Sequence, residues 1–224
     1  VLSAPVFLFC AAVDFLDRGP DCIPLLVSGL IVGLLGLLVV RLSSFPSSLP
    51  VSRLFASVVS GAVAALIAVT VAHLATDTSI ALDVALVEAA ATVTGTNAST
   101  LNADSMSLGV TLFCALGQWL SAGAIIVVLV RVMPHLGVGG LDADGGVATR
   151  SARRLAPRSG STMARLVSLY IGLTVLCAFA YLVAGMPWMD SWIHSLTTLS
   201  SGGFSTRSGS IAVSYTHLTL PTKA

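Results

Sequence analysis

The chain has 224 residues, 9% charged and 55% hydrophobic, with a formal net charge of +1 and a mean hydropathy of +0.95. Soluble domains carry about a quarter charged residues. So much apolar surface cannot be covered in water, whereas a bilayer accepts it, and a soluble enzyme is excluded. A short Arg cluster on a nearly neutral chain also lacks the basic footprint that nucleic acid requires.

The chain opens on VLSAP without an initiator Met, and its first apolar run, residues 1–13, is too short to span a membrane. DFLDRGPD follows where a signal peptide would need a small-residue cleavage site, so the run is expected to be a helix cut short at its N-terminus. Uncharged windows at residues 23–40, 54–75, 105–130 and 166–189 are each long enough to cross about 30 Å of hydrocarbon at about 1.5 Å per residue. Two shorter stretches, 80–92 and 190–200, each follow a span and precede a Gly/Ser/Thr cluster, and are expected to be re-entrant half-helices. Irregular backbone at membrane depth is tolerated only where it is buried in protein or lines a water-filled cavity, so this pattern points to a pore. At the far end VSYTHLTLPT looks like read-through of a sequencing adapter, and residues 213–224 are expected not to be native. Cys10, Cys22, Cys114 and Cys177 are scattered, without disulfide or C-x-x-C spacing, and read as small apolar packing residues.

Charge sets the orientation, because Lys and Arg stay on the cytoplasmic side. Arg41, Arg53, Arg131, Arg150, Arg153, Arg154, Arg158 and Arg165 fall on one side of the alternating path, with only Asp142 and Asp144. The other side carries Asp14, Asp17, Asp21, Asp77, Asp83, Glu88, Asp104 and Asp190 against Arg18 and Arg207. The first side is therefore the cytoplasm, and Arg150, Arg153, Arg154 and Arg158 are its main determinant; anionic lipid or a cytosolic regulatory subunit is a second role open to them.

The order span, acidic loop, half-helix, small-residue loop, span runs from Leu54 to Arg131 and begins again at Leu166. ATVTGTN (91–97) and LSSGGFS (199–205) anchor the repeat about 108 residues apart, pairing Gly95 with Gly203. Internal repeats of this kind build the walls of channels and transporters.

At these loops the sequence resembles the Trk/Ktr potassium-uptake family, most closely its TrkH branch. GQWLSAGAIIVVLVRVMPHLGVGGL (117–141) and YIGLTVLCAFAYLVAGMPWMDSWIHSLTTLSSGGFSTRSGSI (170–211) carry the resemblance, which covers nearly all of residues 23–212. It implies an all-α integral membrane protein of repeated span, re-entrant pore helix, span units, as in potassium-channel-like transporters. By position, residues 1–53 would be two extra N-terminal transmembrane helices, the first truncated. Residues 54–134 would be the first pore unit, 135–165 a basic cytoplasmic linker, and 166–212 the start of the second unit. Two departures stand out: Ser121 and Ala122 precede Gly123 where the family has a second small glycine pair after its QW motif, and Asn97 replaces a small or hydroxyl residue near the first loop.

The implied function is potassium uptake across a prokaryotic plasma (inner) membrane, whether channel-like or by symport, with potassium as substrate and no covalent cofactor. The implied partners are a second copy in a homodimer and a cytosolic TrkA-type nucleotide-binding regulatory subunit, with the lipid bilayer around them. A potassium ion must trade its water shell for oxygens of similar strength, and rings of backbone carbonyls supply them. Aligning those carbonyls forces some residues to positive φ, where glycine is unstrained. Gly95 and Gly203 meet that need, and Thr94, Gly95, Thr96, Ser201, Gly202, Gly203 and Phe204 are the expected ion-binding filter. Each half-helix would turn its partially negative C-terminal end toward the ion, with Asp83, Glu88 and Asp190 near the outer face favouring cation entry. A glycine in a membrane loop also serves as a turn or packing residue, and the glycines of GLIVG (29–33) suit close helix contact. His73 and His194 have no second ligand at metal spacing and read as packing or hydrogen-bonding residues. Two alternatives stand beside potassium uptake: a sodium-coupled Ktr-like subunit, disfavoured by the QW and LGVGG text, and a polytopic membrane anchor or assembly protein. A membrane-embedded enzyme would need an intramembrane His/Asp/Glu/Ser constellation, and the spans hold no charged residue.

Overall fold

A computed structural model describes residues 4–42, 51–96, 98–132 and 161–206. Among these residues the chain is helical without strands: α1 Ala4–Leu16, α2 Cys22–Leu42, α3 Val51–Thr76, α4 Leu82–Thr94, α5 Leu108–Val132, α6 Ser161–Val183 and α7 Trp188–Leu199, with a short 3-10 turn at Ala103–Ser105 before α5. Four of them, α2, α3, α5 and α6, are long and apolar enough to cross a membrane. The adapter-like tail, the Arg150 cluster, most of the expected linker, Asn97 and Arg207 lie outside the described residues.

The half-helices form where the sequence implied them, but the fourth span is shorter than its uncharged window. That window ran to residue 189, whereas α6 stops at Val183. Gly185 takes φ 90°, and the Met186 N–H reaches back to the Tyr181 carbonyl at 3.1 Å. This closes the helix in a Schellman turn, and Pro187 follows, unable to continue it. Absence of charge marks what hydrocarbon tolerates, and backbone chemistry marks where a helix stops.

Lipid tails are as apolar as leucine, so helices in a bilayer associate through close packing and hydrogen bonds rather than through the hydrophobic effect. α5 is the hub. It packs on α1, α3, α4 and α7, and contributes Val110, Leu112, Phe113, Cys114 and Ala115 to a buried cluster with Phe7, Leu25, Ala89, Ile193 and Phe204. The rings of Phe7 and Phe113 sit 4.6 Å apart. Small residues permit the approach: a Cβ on Gly29 would lie 2.6 Å from that of Phe7, and one on Gly33 would lie 3.1 Å from that of Ala4, so the GLIVG glycines do face α1. Leu34 and Leu38 of α2 and Leu176 and Phe179 of α6 are exposed, as a lipid-facing surface requires.

Candidate functional site

α4 ends at Thr94, whose hydroxyl donates to the Ala90 carbonyl at 2.6 Å. Gly95 then turns into the left-handed region at φ 68°, ψ 33°, and the Thr96 N–H returns to the Ala91 carbonyl at 3.0 Å. The chain beyond is tied to the middle of α4 by one carboxylate. Glu88 is 3% exposed and accepts the Thr100 N–H at 2.6 Å, the Leu101 N–H at 3.1 Å and the hydroxyls of Ser99 and Thr100. A buried carboxylate needs such donors to offset its lost hydration.

The loop after α7 repeats this plan. The Ser201 N–H donates to the Thr198 carbonyl at 3.2 Å and the Gly202 N–H to the Thr197 carbonyl at 2.9 Å, a Schellman closure. Ser201 occupies the left-handed position at φ 58°. Deeper in the helix, the buried His194 holds the chain that returns, its Nε2 lying 3.3 Å from the Thr206 hydroxyl. Both tethers span twelve residues, from Glu88 to Thr100 and from His194 to Thr206.

These matches correct the register of the repeat. Sequence spacing paired Gly95 with Gly203, about 108 residues apart; closing hydrogen bonds, left-handed residues and tethers pair Gly95 with Ser201, Glu88 with His194 and Thr100 with Thr206, each 106 apart by number. Gly203 also has positive φ, 65°, two residues further on. A glycine motif is a poor ruler here, because the left-handed position that ends a half-helix accepts Gly in one loop and Ser in the other.

The two loops meet. A Cβ on Gly95 would lie 3.7 Å from the Ser200 carbonyl oxygen, so the C-terminal ends of α4 and α7 converge and bring two partially negative helix ends together. Gln118 of α5 stands behind both, its Nε2 donating to the Thr96 carbonyl at 3.3 Å and its amide lying against Gly202. Trp119, the next residue, donates Nε1–H to the Thr174 hydroxyl at 2.9 Å, stacks on Tyr170 at 4.9 Å and accepts the Tyr170 hydroxyl at its carbonyl. Gly117 permits α4 to close on α5, since a Cβ there would collide with the Thr92 methyl.

Among the expected filter residues, Thr94, Thr96, Ser201 and Gly203 are exposed, while Gly202 and Phe204 are buried. The Thr94 and Thr96 hydroxyls bond each other at 3.1 Å, and the Phe204 side chain belongs to the core. The expectation for Glu88 is corrected: it does not face the outer surface to attract cations, because its oxygens are spent on the returning loop. Asp83 is exposed at the start of α4, and Asp190 is partly buried in the first turn of α7. The signal for Glu88 was present in the sequence as the one charge in the middle of an apolar half-helix.

The acidic end of the bundle is also built around a buried carboxylate that charge counting treated as surface. Asp14 is fully buried, accepting the Asp21 N–H at 2.9 Å and the Gly109 N–H at 3.0 Å. It therefore caps the N-termini of α2 and α5 together, where the helix dipole favours an anion. A cleft lined by Asp21, His73, Asp77, Ser105 and Ser107 opens beside it. Burial holds the Asp21 carboxyl above the usual carboxylate range, against the pull of a Ser107 hydrogen bond. Ser79 holds Asp77 below that range through its hydroxyl and its N–H. No group of three or more His, Cys, Asp or Glu residues among those described is arranged to hold a metal ion.

No family model matches the chain. It is 41% identical over 99 residues to the Trk system potassium uptake protein TrkH of Halomonas elongata, covering 42% of this chain and 20% of that protein. It is 36% identical over 122 residues to the protein of the same name from Escherichia coli K12, covering 53% of this chain and 25% of that one. The chain thus matches a fifth to a quarter of the length of these curated relatives. Its fold matches the crystal structure of the potassium transporter TrkH from Vibrio parahaemolyticus with a TM-score of 0.77 and 26% identity, over 92% of this chain and 42% of that one. The relatives are transporters by name. Four membrane-crossing helices, two converging half-helices and this set of relatives agree: the chain is a multi-pass bacterial membrane protein that resembles TrkH-type Trk proteins in sequence and fold.

Proposed function

We propose that the chain is part of the membrane subunit of a potassium-uptake system and that the loops after α4 and α7 supply two walls of its selectivity filter. The observation that carries this reading is the convergence of two half-helix C-termini, Gly95 beside the Ser200 carbonyl. Two converging negative helix ends with backbone carbonyls at their tips favour a dehydrated cation without fixing a full negative charge beside it. Within this reading Thr94, Gly95, Thr96, Ser201, Gly202, Gly203 and Phe204 form the filter loops, with Phe204 anchoring its loop through the core and offering only its backbone.

Residues 54–134 then form the first pore unit and 166–212 begin the second, with residues 1–53 forming two helices outside the pore and 135–165 a basic cytoplasmic linker. The uptake protein works in the bacterial inner membrane as a homodimer, with a cytosolic TrkA-type nucleotide-binding subunit. The names of the relatives and the fold neighbour support potassium as the substrate.

The test is growth on limiting potassium of a bacterial strain stripped of its own uptake systems and supplied with the complete protein. Gly203→Ser adds a Cβ at a positive φ, a strain of about 1–2 kcal/mol. Since about 1.4 kcal/mol is tenfold in relative binding, the potassium concentration needed for growth rises severalfold or sodium enters visibly. Residues 1–212 alone give no uptake, because two loops leave a carbonyl ring open. Unchanged affinity and selectivity in Gly203→Ser at normal membrane levels would refute the assignment.

A further inference from the structure

Three consecutive residues of α5 touch three different neighbours. Gly117 meets Thr92 of α4, Gln118 meets both loops, and Trp119 is fastened to Thr174 and Tyr170 of α6. The amide of Gln118 is therefore held from either side along the backbone. Its side chain is 2% exposed. Nε2 donates to the Thr96 carbonyl at 3.3 Å, while Oε1 is buried without a hydrogen-bond partner. That oxygen stands where a Cβ on Gly202 would fall, with Cδ 2.6 Å from the same point. A buried amide oxygen left without a donor is rare and calls for an explanation beyond packing. Turning the amide over would not cure it, since Oε1 would then face the Thr96 carbonyl, acceptor against acceptor.

We propose that Gln118 is a positioning residue that sets the spacing of the two loops and thereby, on the reading given under Proposed function, the discrimination between potassium and sodium. It acts on the first loop by drawing the Thr96 carbonyl to its own side, which leaves the loop's other carbonyls to the ion. It acts on the second loop as a stop, since Gly202 can approach only because it has no Cβ. A filter selects by the number and field of its oxygens, so one side chain that sets the separation of two loops sets both. The unpartnered Oε1 follows from this geometry: a donor placed there would occupy the space the Gly202 backbone needs.

The experiment measures potassium and sodium uptake by the complete protein in vesicles. Gln118→Met keeps the length of the side chain and removes the donor. The potassium-to-sodium uptake ratio is expected to fall about tenfold, equivalent to about 1.4 kcal/mol. The KM for potassium should rise while the maximal rate stays within about twofold; a general folding defect would lower the maximal rate instead. Gly202→Ala should lose selectivity or accumulation, and Gly202→Ala combined with Gln118→Ala should recover part of it by opening the occupied space. If Gln118→Met does not accumulate, the glycine pair decides: recovery supports the proposal, and its absence overturns it. Unchanged selectivity in Gln118→Met, or unchanged selectivity at normal accumulation in Gly202→Ala, also overturns it. Gly203→Ser run in parallel separates the failures, for if it alone degrades selectivity the loops form the filter without Gln118 setting them, and if nothing does so the filter reading falls as well.

Discussion

Gly95 and Ser201 hold the same left-handed backbone, at φ 68° and 58°, on the loops that follow α4 and α7. The equivalence gives the two positions opposite mutational behaviour. A left-handed conformation costs an L-residue about 1–2 kcal/mol and costs glycine little. Gly95→Ser should therefore lower the thermal midpoint of the detergent-solubilised complete protein. Ser201→Gly should raise it or leave it level, relief of strain being partly offset by the greater freedom of glycine in the unfolded chain. A stabilising Gly95→Ser would show that the two loops are not equivalent.

The tethers differ in strength. Glu88→Ala strips the charged acceptor from the Thr100 and Leu101 N–H groups, and hydrogen bonds to a charged group contribute about 1.5–3 kcal/mol each. The expected result is poor accumulation in the membrane and a loop that proteases can cut. Glu88→Gln keeps one acceptor oxygen and should be milder. His194→Ala removes one long bond to Thr206, about 0.5–1.5 kcal/mol, and should accumulate better than Glu88→Ala. The reverse order would contradict the assignment of Glu88 as the stronger tether.

Asp14 caps two helices, so Asp14→Ala should be among the most damaging single changes at the acidic end, at about 2–4 kcal/mol for two orphaned N–H groups. Asp17→Ala, at an exposed neighbouring position, should be nearly silent. Comparing accumulation of the two variants checks this directly: equal accumulation would mean that the cap contributes nothing.

Topology is testable at opposite ends of the bundle. Thr78, after α3, and Ala164, beside Arg165 in α6, are both exposed. With the four native cysteines replaced, Thr78→Cys should react with a membrane-impermeant thiol reagent in intact cells and Ala164→Cys should not. Labelling at Ala164→Cys from outside would invert the orientation.

Spans, half-helices and the acidic and basic ends were legible in the amino-acid sequence because each rests on a one-dimensional quantity. A bilayer core requires a minimum run without charge, and membrane insertion retains arginine on one side. Resemblance in the 117–141 and 170–211 text then pointed to the TrkH-type proteins that the comparisons also find. Register was not legible: Gly95 and Gly203 look like partners on paper, yet the closing hydrogen bonds and the left-handed residues pair Gly95 with Ser201, because two residue types satisfy that turn. Nor could sequence supply the partners of Asp14 and Glu88, which are buried and consumed as cap and tether, while Asp83 is exposed. A carboxylate's role depends on which N–H groups stand within about 3 Å of it. For Asp14 the decisive donor belongs to Gly109, 95 residues away. Gln118 is the clearest case: the sequence displays a polar residue in an apolar span, and only the packing of α5 between two loops makes it a contact to both Thr96 and Gly202. Composition and periodicity fix what each segment can be, whereas the donors and acceptors that meet across segments exist only once the helices have packed.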